Sequence, residues 1–295
     1  MDGLLTGLGS KFAERWITLL ALPGLLFALT LALSWWLHSL GAAHALDPAL
    51  LSGRLDQAPP RWLASTPHRL VLAALVTLTA AASAGIAAEL SRLIARLWLG
   101  RGVLSGKLLG RARRRRIRQA ENAAPPDHHA GYLPERATRI GDHLLLAEKR
   151  VDAQYQVALV RVWPRLWHLC DDSQRVPVQL AWDRYTAASV RAAWSLGYLA
   201  LGLLWWPAAT VGAALYLSAW IAARRAAAEL GLLVEALTDV KLPELASALG
   251  VPLPHGRFTR ADSHAVESIL DKGTFLPGPS TGTSQACSGG VPAGP

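Results

Sequence analysis

Ala192–Ala223, AAWSLGYLALGLLWWPAATVGAALYLSAWIAA, holds no charged residue and carries Trp205-Trp206-Pro207 near its middle. One straight helix over this stretch would overshoot a hydrocarbon core of roughly 30 Å, since each residue adds about 1.5 Å. Two short helices turning at Trp-Trp-Pro fit that thickness, if Ala187–Val190 lengthen the first and Arg191 snorkels to the surface. A single long or re-entrant helix over 192–223 is the alternative that the sequence leaves open. The hairpin reading predicts an all-α, polytopic membrane protein.

Working outward, two more uncharged blocks appear, Leu70–Ala88 and Trp16–Leu37, the latter with Pro23-Gly24 inside it. Pro-Gly within an apolar block predicts a kink or a close helix contact. A cleaved signal peptide is the rival reading of the first block, with Lys11 and Arg15 before it and Ala43-His44-Ala45 after it. With an uncleaved anchor the expectation is about four transmembrane helices and a small helical cytoplasmic region. The boundaries run as follows: 1–90, an N-terminal transmembrane pair with an extracytoplasmic loop at 38–69; 91–131, a basic juxtamembrane helix and linker; 132–190, a cytoplasmic helical region. Then come 191–225, the transmembrane hairpin, 226–271, C-terminal cytoplasmic helices, and 272–295, a tail rich in Gly, Pro, Ser and Thr expected to be disordered.

Composition agrees. Only 17% of the residues are charged and mean hydropathy is +0.24, whereas soluble domains carry roughly a quarter charged residues. Trp residues gather at block ends, as in Trp35-Trp36, Trp98, Trp194 and Trp220, where an apolar ring with one N–H suits an interface. Lys+Arg number 30 against 21 Asp+Glu, and their placement sets orientation. Residues 91–191 hold Arg92, Arg96, Arg101, Lys107 and the run Arg111, Arg113, Arg114, Arg115, Arg116 and Arg118; the loop before Leu70 holds only Arg54, Arg61 and Arg69. The positive-inside rule places that run, both termini and Arg224-Arg225 in the cytoplasm of a bacterial plasma membrane. The run is expected to contact anionic phospholipid, at about 1 kcal/mol per basic residue. It lacks interleaved aromatics, so nucleic acid is not the expected partner.

Beyond the linker, Leu144, Ala147, Val151, Tyr155, Ala158 and Val162 recur at helical spacing, predicting a helix from about Arg139 that stops near Trp163, before Pro164. Trp163, Pro164, Arg165 and Trp167 then form a compact aromatic knot, suited either to packing beneath the spans or to a protein partner. Arg165 is expected to stack on Trp163 or Trp167, or to pair with Asp142 or Glu148. Asp172 or Ser173 should cap the next helix, and Pro243 should open a short one that stops at Gly250.

Thr138-Arg139-Ile140-Gly141-Asp142, Tyr155 and Val162-Trp163-Pro164-Arg165-Leu166 resemble a block of uncharacterised actinobacterial membrane proteins, Thr-Arg-x-Gly-Asn … Tyr-Gly-x-Asp … Trp-Pro-Arg-Leu. This chain departs from it at Asp142, Gln156 and Ala158. The resemblance covers roughly 134–254 and implies bacterial origin and architecture, with no activity to transfer.

Catalysis needs a nucleophile with a base, paired carboxylates or spaced metal ligands. His38, His44, His68 and His128-His129 fall in loops without ligand spacing, and His168 and Cys170 would point apart on a helix. Two cysteines facing the cytoplasm predict no disulfide. No cofactor, no metal and no enzymatic activity are expected. Small residues four apart, Ala81 with Gly85 and Ala208 with Gly212, predict close helix packing within the chain or a homo-oligomer seam. The expected role is a membrane-anchored scaffold or signalling component offering its helical region to a protein partner. The alternative is a self-associating pore-former.

Overall fold

The computed structural model describes residues 21–37, 47, 65–100, 110, 114–115, 117–119, 136, 138–254 and 256–271. Within them the chain is helical throughout: α1 Leu22–Leu37, α2 Thr66–Trp98, α3 Arg139–Tyr155, α4 Leu159–Leu169, α5 Asp172–Leu201, α6 Trp206–Ala248 and α7 Arg260–Leu270.

The quoted stretch does break in its middle. α5 ends at Leu201, residues 202–204 turn, and Trp205 is the extended residue before α6, with Pro207 in its first turn. Proline suits that position because the first N–H groups of a helix lack partners anyway. The two legs then close tightly. A side chain at Gly212 would meet the Leu199 N at 2.7 Å and the Ser195 O at 2.9 Å.

Neither leg stops at the end of the uncharged stretch. α6 has 43 residues, roughly 64 Å of helix, about twice a hydrocarbon core. It enters two separate cores. Ala219, Ala223, Ala226 and Ala227 pack with Ala84, Ala87, Ile94 and Trp98 of α2 and with Tyr185, Ala188 and Ala192 of α5. Farther along, Leu230, Leu237, Leu242 and Leu245 pack with Val162 and Leu166 of α4, Val178 of α5 and Val266 of α7. α1 joins the first core through Phe27, edge-on to Tyr198 with ring centroids at 5.5 Å. Gly24, of the Pro-Gly pair, stands where a Cβ would lie 2.8 Å from the Ala80 O. That is a close helix contact.

Two helices, α2 and α6, are long and apolar enough to cross a membrane, rather than the four expected. The described part of α1 is short, and α5 carries Asp183, Arg184 and Arg191 before its uncharged end. The apolar window of α2 is only 11% buried. A core helix of a water-soluble domain would be mostly covered by the residues around it, and among the described residues α2 is not.

Four boundaries differ from expectation. The helix begun at Arg139 ends at Tyr155, because Gln156 takes a left-handed conformation (φ 54°) and Val157 turns into the second core, fully buried. Pro164 lies inside α4. It forfeits one backbone bond, to the carbonyl of Val160, a residue that is 74% exposed. Pro243 likewise lies inside α6, where buried Leu242, Leu245 and Ala246 hold the helix on both sides of it. The Gly250 stop is present: Gly250 (φ 78°) and Val251 donate to the Ser247 and Ala246 carbonyls, a Schellman closure. The cap of α5 is Asp171, one residue before the expected pair, with its N–H bonded to the Gln174 side chain at 3.2 Å. The tail at 272–295 lies outside the described residues.

Candidate functional site

The block Thr138–Asp142 is a docking joint. Thr138 caps α3, accepting from the Gly141 N–H at 3.1 Å, and its own hydroxyl donates to the Trp98 carbonyl at the end of α2. Arg136 bonds the Gly100 carbonyl at 3.0 Å, and its N–H donates to Asp142 at 2.7 Å. The open N-terminus of α3 thereby meets the C-terminal carbonyls of α2, opposite ends of two helix dipoles. Gly141 makes the approach possible, since a Cβ there would lie 2.9 Å from the Leu99 O.

α3, α4 and α5 all pack against α6. The space they enclose consists of two open grooves that meet along Trp163, Pro164, Leu230 and Val234. One, about 320 Å³, runs between α3 and α4, past Leu144 and Glu148. The other, about 580 Å³, runs between α4 and α5, past Trp182 and Asp183. α4 is strongly two-faced: Val162 and Leu166 are fully buried in the second core, while Val160 and Pro164 are exposed. Trp163 and Trp167 lie between, half-buried, with ring centroids 5.8 Å apart. The cation on Trp167 is Arg175, at 5.9 Å, and it also bonds the Trp167 carbonyl. Arg165 takes neither expected role, for its guanidinium bonds the Arg161 carbonyl one turn back at 2.7 Å.

A polar seam closes the far end. The Tyr155 hydroxyl donates to Asp239 at 2.9 Å and accepts from Gln154 at 2.8 Å. Burial and then the Asp239 carboxylate push its pKa up to about 12. Arg150 pairs with Glu235, and Arg260 of α7 bonds the last carbonyls of α3, at Ala153 and Gln154. The Tyr155 proton is favoured in the folded state, so the contribution is fully present below pH 10 and is lost as pH rises from about 10 to about 12. Tyr155→Phe is therefore expected to lower stability at neutral pH by about 1 kcal/mol, the loss of the hydrogen bond to Asp239, and to flatten the alkaline limb of a stability-against-pH curve, as measured by chemical denaturation.

Cys170 is buried and donates to the Leu166 carbonyl, and burial pushes its thiol pKa up despite nearby Lys241 and Arg175. A thiol kept protonated is a poor nucleophile. Lys241 is committed to Glu244 at 2.7 Å. No group of three potential metal ligands occurs among the described residues.

The expected packing residues divide. Ala208 and Gly212 are buried in the hairpin, but Ala81 and Gly85 are exposed, with nothing within 4 Å of a Cβ at Gly85. α2 instead packs through Ala84, Ala87, Ser91, Ile94 and Trp98, the next stripe around the helix. Of the basic run, Arg114, Arg115 and Arg118 are described, the first two and the last being exposed; Arg111, Arg113 and Arg116 lie outside the described residues. Sequence reading passed over Arg136, Arg175, Leu230 and Val234 as site residues. The helical spacing of Leu230 and Val234, and of Val178 and Trp182, was the available signal.

No protein-family model, no curated protein and no solved structure matches this chain.

Proposed function

We propose that the protein is a membrane-anchored scaffold or signalling component of a bacterial plasma membrane, N-in and C-in, that holds a rigid helical head at the cytoplasmic surface for a protein partner. The observation that carries this reading is the continuity of α5 and α6 through both cores. A head joined to its anchor by two unbroken helices cannot swing freely, which suits presentation of a fixed surface. α1 and the outer leg of α5, each too short or too charged by itself, complete a four-span domain by packing on α2 and α6. The exposed apolar residues Leu22, Leu29, Leu70, Leu75, Leu78 and Leu217 then face lipid. Bacterial origin rests on the resemblance of the 134–254 block, and orientation rests on the arginines. On the head, Val176 and Leu180 share one outward stripe of α5 and are 56% and 47% exposed, an anchor pair of the kind protein contacts use.

A photocrosslinking residue at Leu180 of the full chain, in cells, tests the reading. The expected result is a discrete adduct with a second protein, absent when the probe replaces the buried Ala181. Adducts only with the chain itself, together with dye release from liposomes by the purified protein, would move the assignment to a self-associating pore-former.

A further inference from the structure

The larger groove is bounded by three aromatic rings, Trp163 and Trp167 of α4 and Trp182 of α5, together with Leu230 and Val234 of α6. Trp182 is 47% exposed, and the other two rings are half-buried. Open aromatic surface of this kind is unfavourable in water and gains from a cover. Aromatic-lined grooves suit extended, proline-rich segments, which have no internal hydrogen bonds to break and little conformational entropy to lose.

The chain supplies such a segment beside the groove. Leu270, at the end of α7, packs on the second core; the Ala158 N–H donates to Glu267 at 3.2 Å, and Asp271 pairs with Arg161 of α4 at 3.6 Å. α7 therefore delivers the chain to the first turn of α4. From there Arg161, Pro164 and His168 follow at i, i+3 and i+7 along one exposed stripe, and Pro164 and His168 line the larger groove. That stripe is about 10 Å long. The residues after Asp271 read Lys272-Gly273-Thr274-Phe275-Leu276-Pro277-Gly278-Pro279. Phe275 is four residues on, a reach of up to about 14 Å, and Pro279 is eight residues on, up to about 28 Å. Both prolines favour an extended backbone. Phe275 is the one aromatic residue of 272–295, so it has the most to gain from the rings.

We propose that Phe275-Leu276-Pro277 docks in the larger groove of its own chain, with the Phe275 ring against the three tryptophans. Docked there, the segment covers the exposed side of α4 and competes with any other ligand for those rings. The inference rests on the helical head alone and does not depend on the spans crossing a membrane.

The test places a photoactivatable phenylalanine analogue at position 275 of the full chain in detergent, with isotope-labelled and unlabelled chains mixed in equal amounts. Irradiation is followed by peptide mapping. The expected adduct joins position 275 to the Trp163–Trp167 peptide or to the peptide holding Trp182, always within one isotope class. Gln179→Trp, at an exposed position on the groove wall, should fill the groove and remove the adduct, whereas Gln179→Ala should keep it. Without the probe, Gln179→Trp should also speed chymotrypsin cleavage at Phe275 about tenfold, the least that burial of one phenylalanine ring implies. Adducts that join the two isotope classes overturn the proposal, since the groove then takes a second copy's tail. So do an adduct confined to another surface, no adduct at all, or an adduct and a cleavage rate that Gln179→Trp leaves unchanged.

Discussion

Tyr185→Ala is expected to cost the full chain about 3–5 kcal/mol, the range for losing a buried aromatic ring. Tyr185 is 1% exposed and sits where the two cores meet. Its ring centroid lies 6.4 Å from that of Trp98 and 5.7 Å from that of Trp182, and Trp98 in turn meets Trp220 edge-on at 5.7 Å. Its hydroxyl donates to the Ala95 carbonyl of α2 at 3.0 Å. α2, α5 and α6 are thus held together at one level by four aromatic rings and one hydrogen bond. Tyr185→Phe keeps the ring and loses the hydroxyl, so it should cost only about 1 kcal/mol. Thermal unfolding in detergent, followed by near-ultraviolet circular dichroism, separates the two. Equal losses for Ala and Phe would mean that the hydroxyl rather than the packing dominates.

Gly141→Val carries the second large effect. The new Cβ would stand 2.9 Å from the Leu99 O and 3.1 Å from the Trp98 O, both backbone atoms that cannot rotate away. Overpacking of this kind costs about 1–3 kcal/mol, and more where backbone must shift. The helix-propensity gain from replacing glycine is a few tenths of a kcal/mol for valine. The clash therefore wins, and α3 should lift from the end of α2. The expected readout is a lower melting temperature with earlier protease cleavage between α2 and α3. Gly85→Val is the control, because nothing lies within 4 Å of its Cβ. A Gly141→Val protein as stable as the control would show that the joint is loose.

Signals that act within one turn were legible in the sequence. Trp205-Trp206-Pro207 announced the hairpin, because proline opens a helix and cannot continue one without losing a bond. Gly250 announced the end of α6, because its left-handed backbone suits glycine. The cap of α5 was expected one residue too late, at Asp172 or Ser173; Asp171 with Gln174, like Thr259 with Asp262, is a reciprocal cap three residues apart. The Thr138–Asp142 block was legible as a pattern but not as a joint. Its partners, Trp98, Leu99 and Gly100, lie about forty positions earlier, and only the fold brings them within hydrogen-bond reach.

Where two local signals competed, distant contacts decided. Pro164 and Pro243 were expected to bound helices, and each instead lies inside one. A single lost backbone bond costs less than exposing Val162 and Leu166, or Leu242 and Leu245, which the second core buries. Arg175 rather than Arg165 covers Trp167, because a helix fixes side-chain direction and α5 returns past that ring. Ala81 and Gly85 have the same spacing as the stripe that packs, and nothing in the spacing says which side of α2 meets a neighbour. The sequence by itself determined that this chain is helical, apolar in blocks and basic on one side of them. Which face of each helix is covered, and the grooves lined jointly by α4 and α6, were decided by packing between segments far apart in the chain, since a periodicity fixes a stripe's width but not its partner.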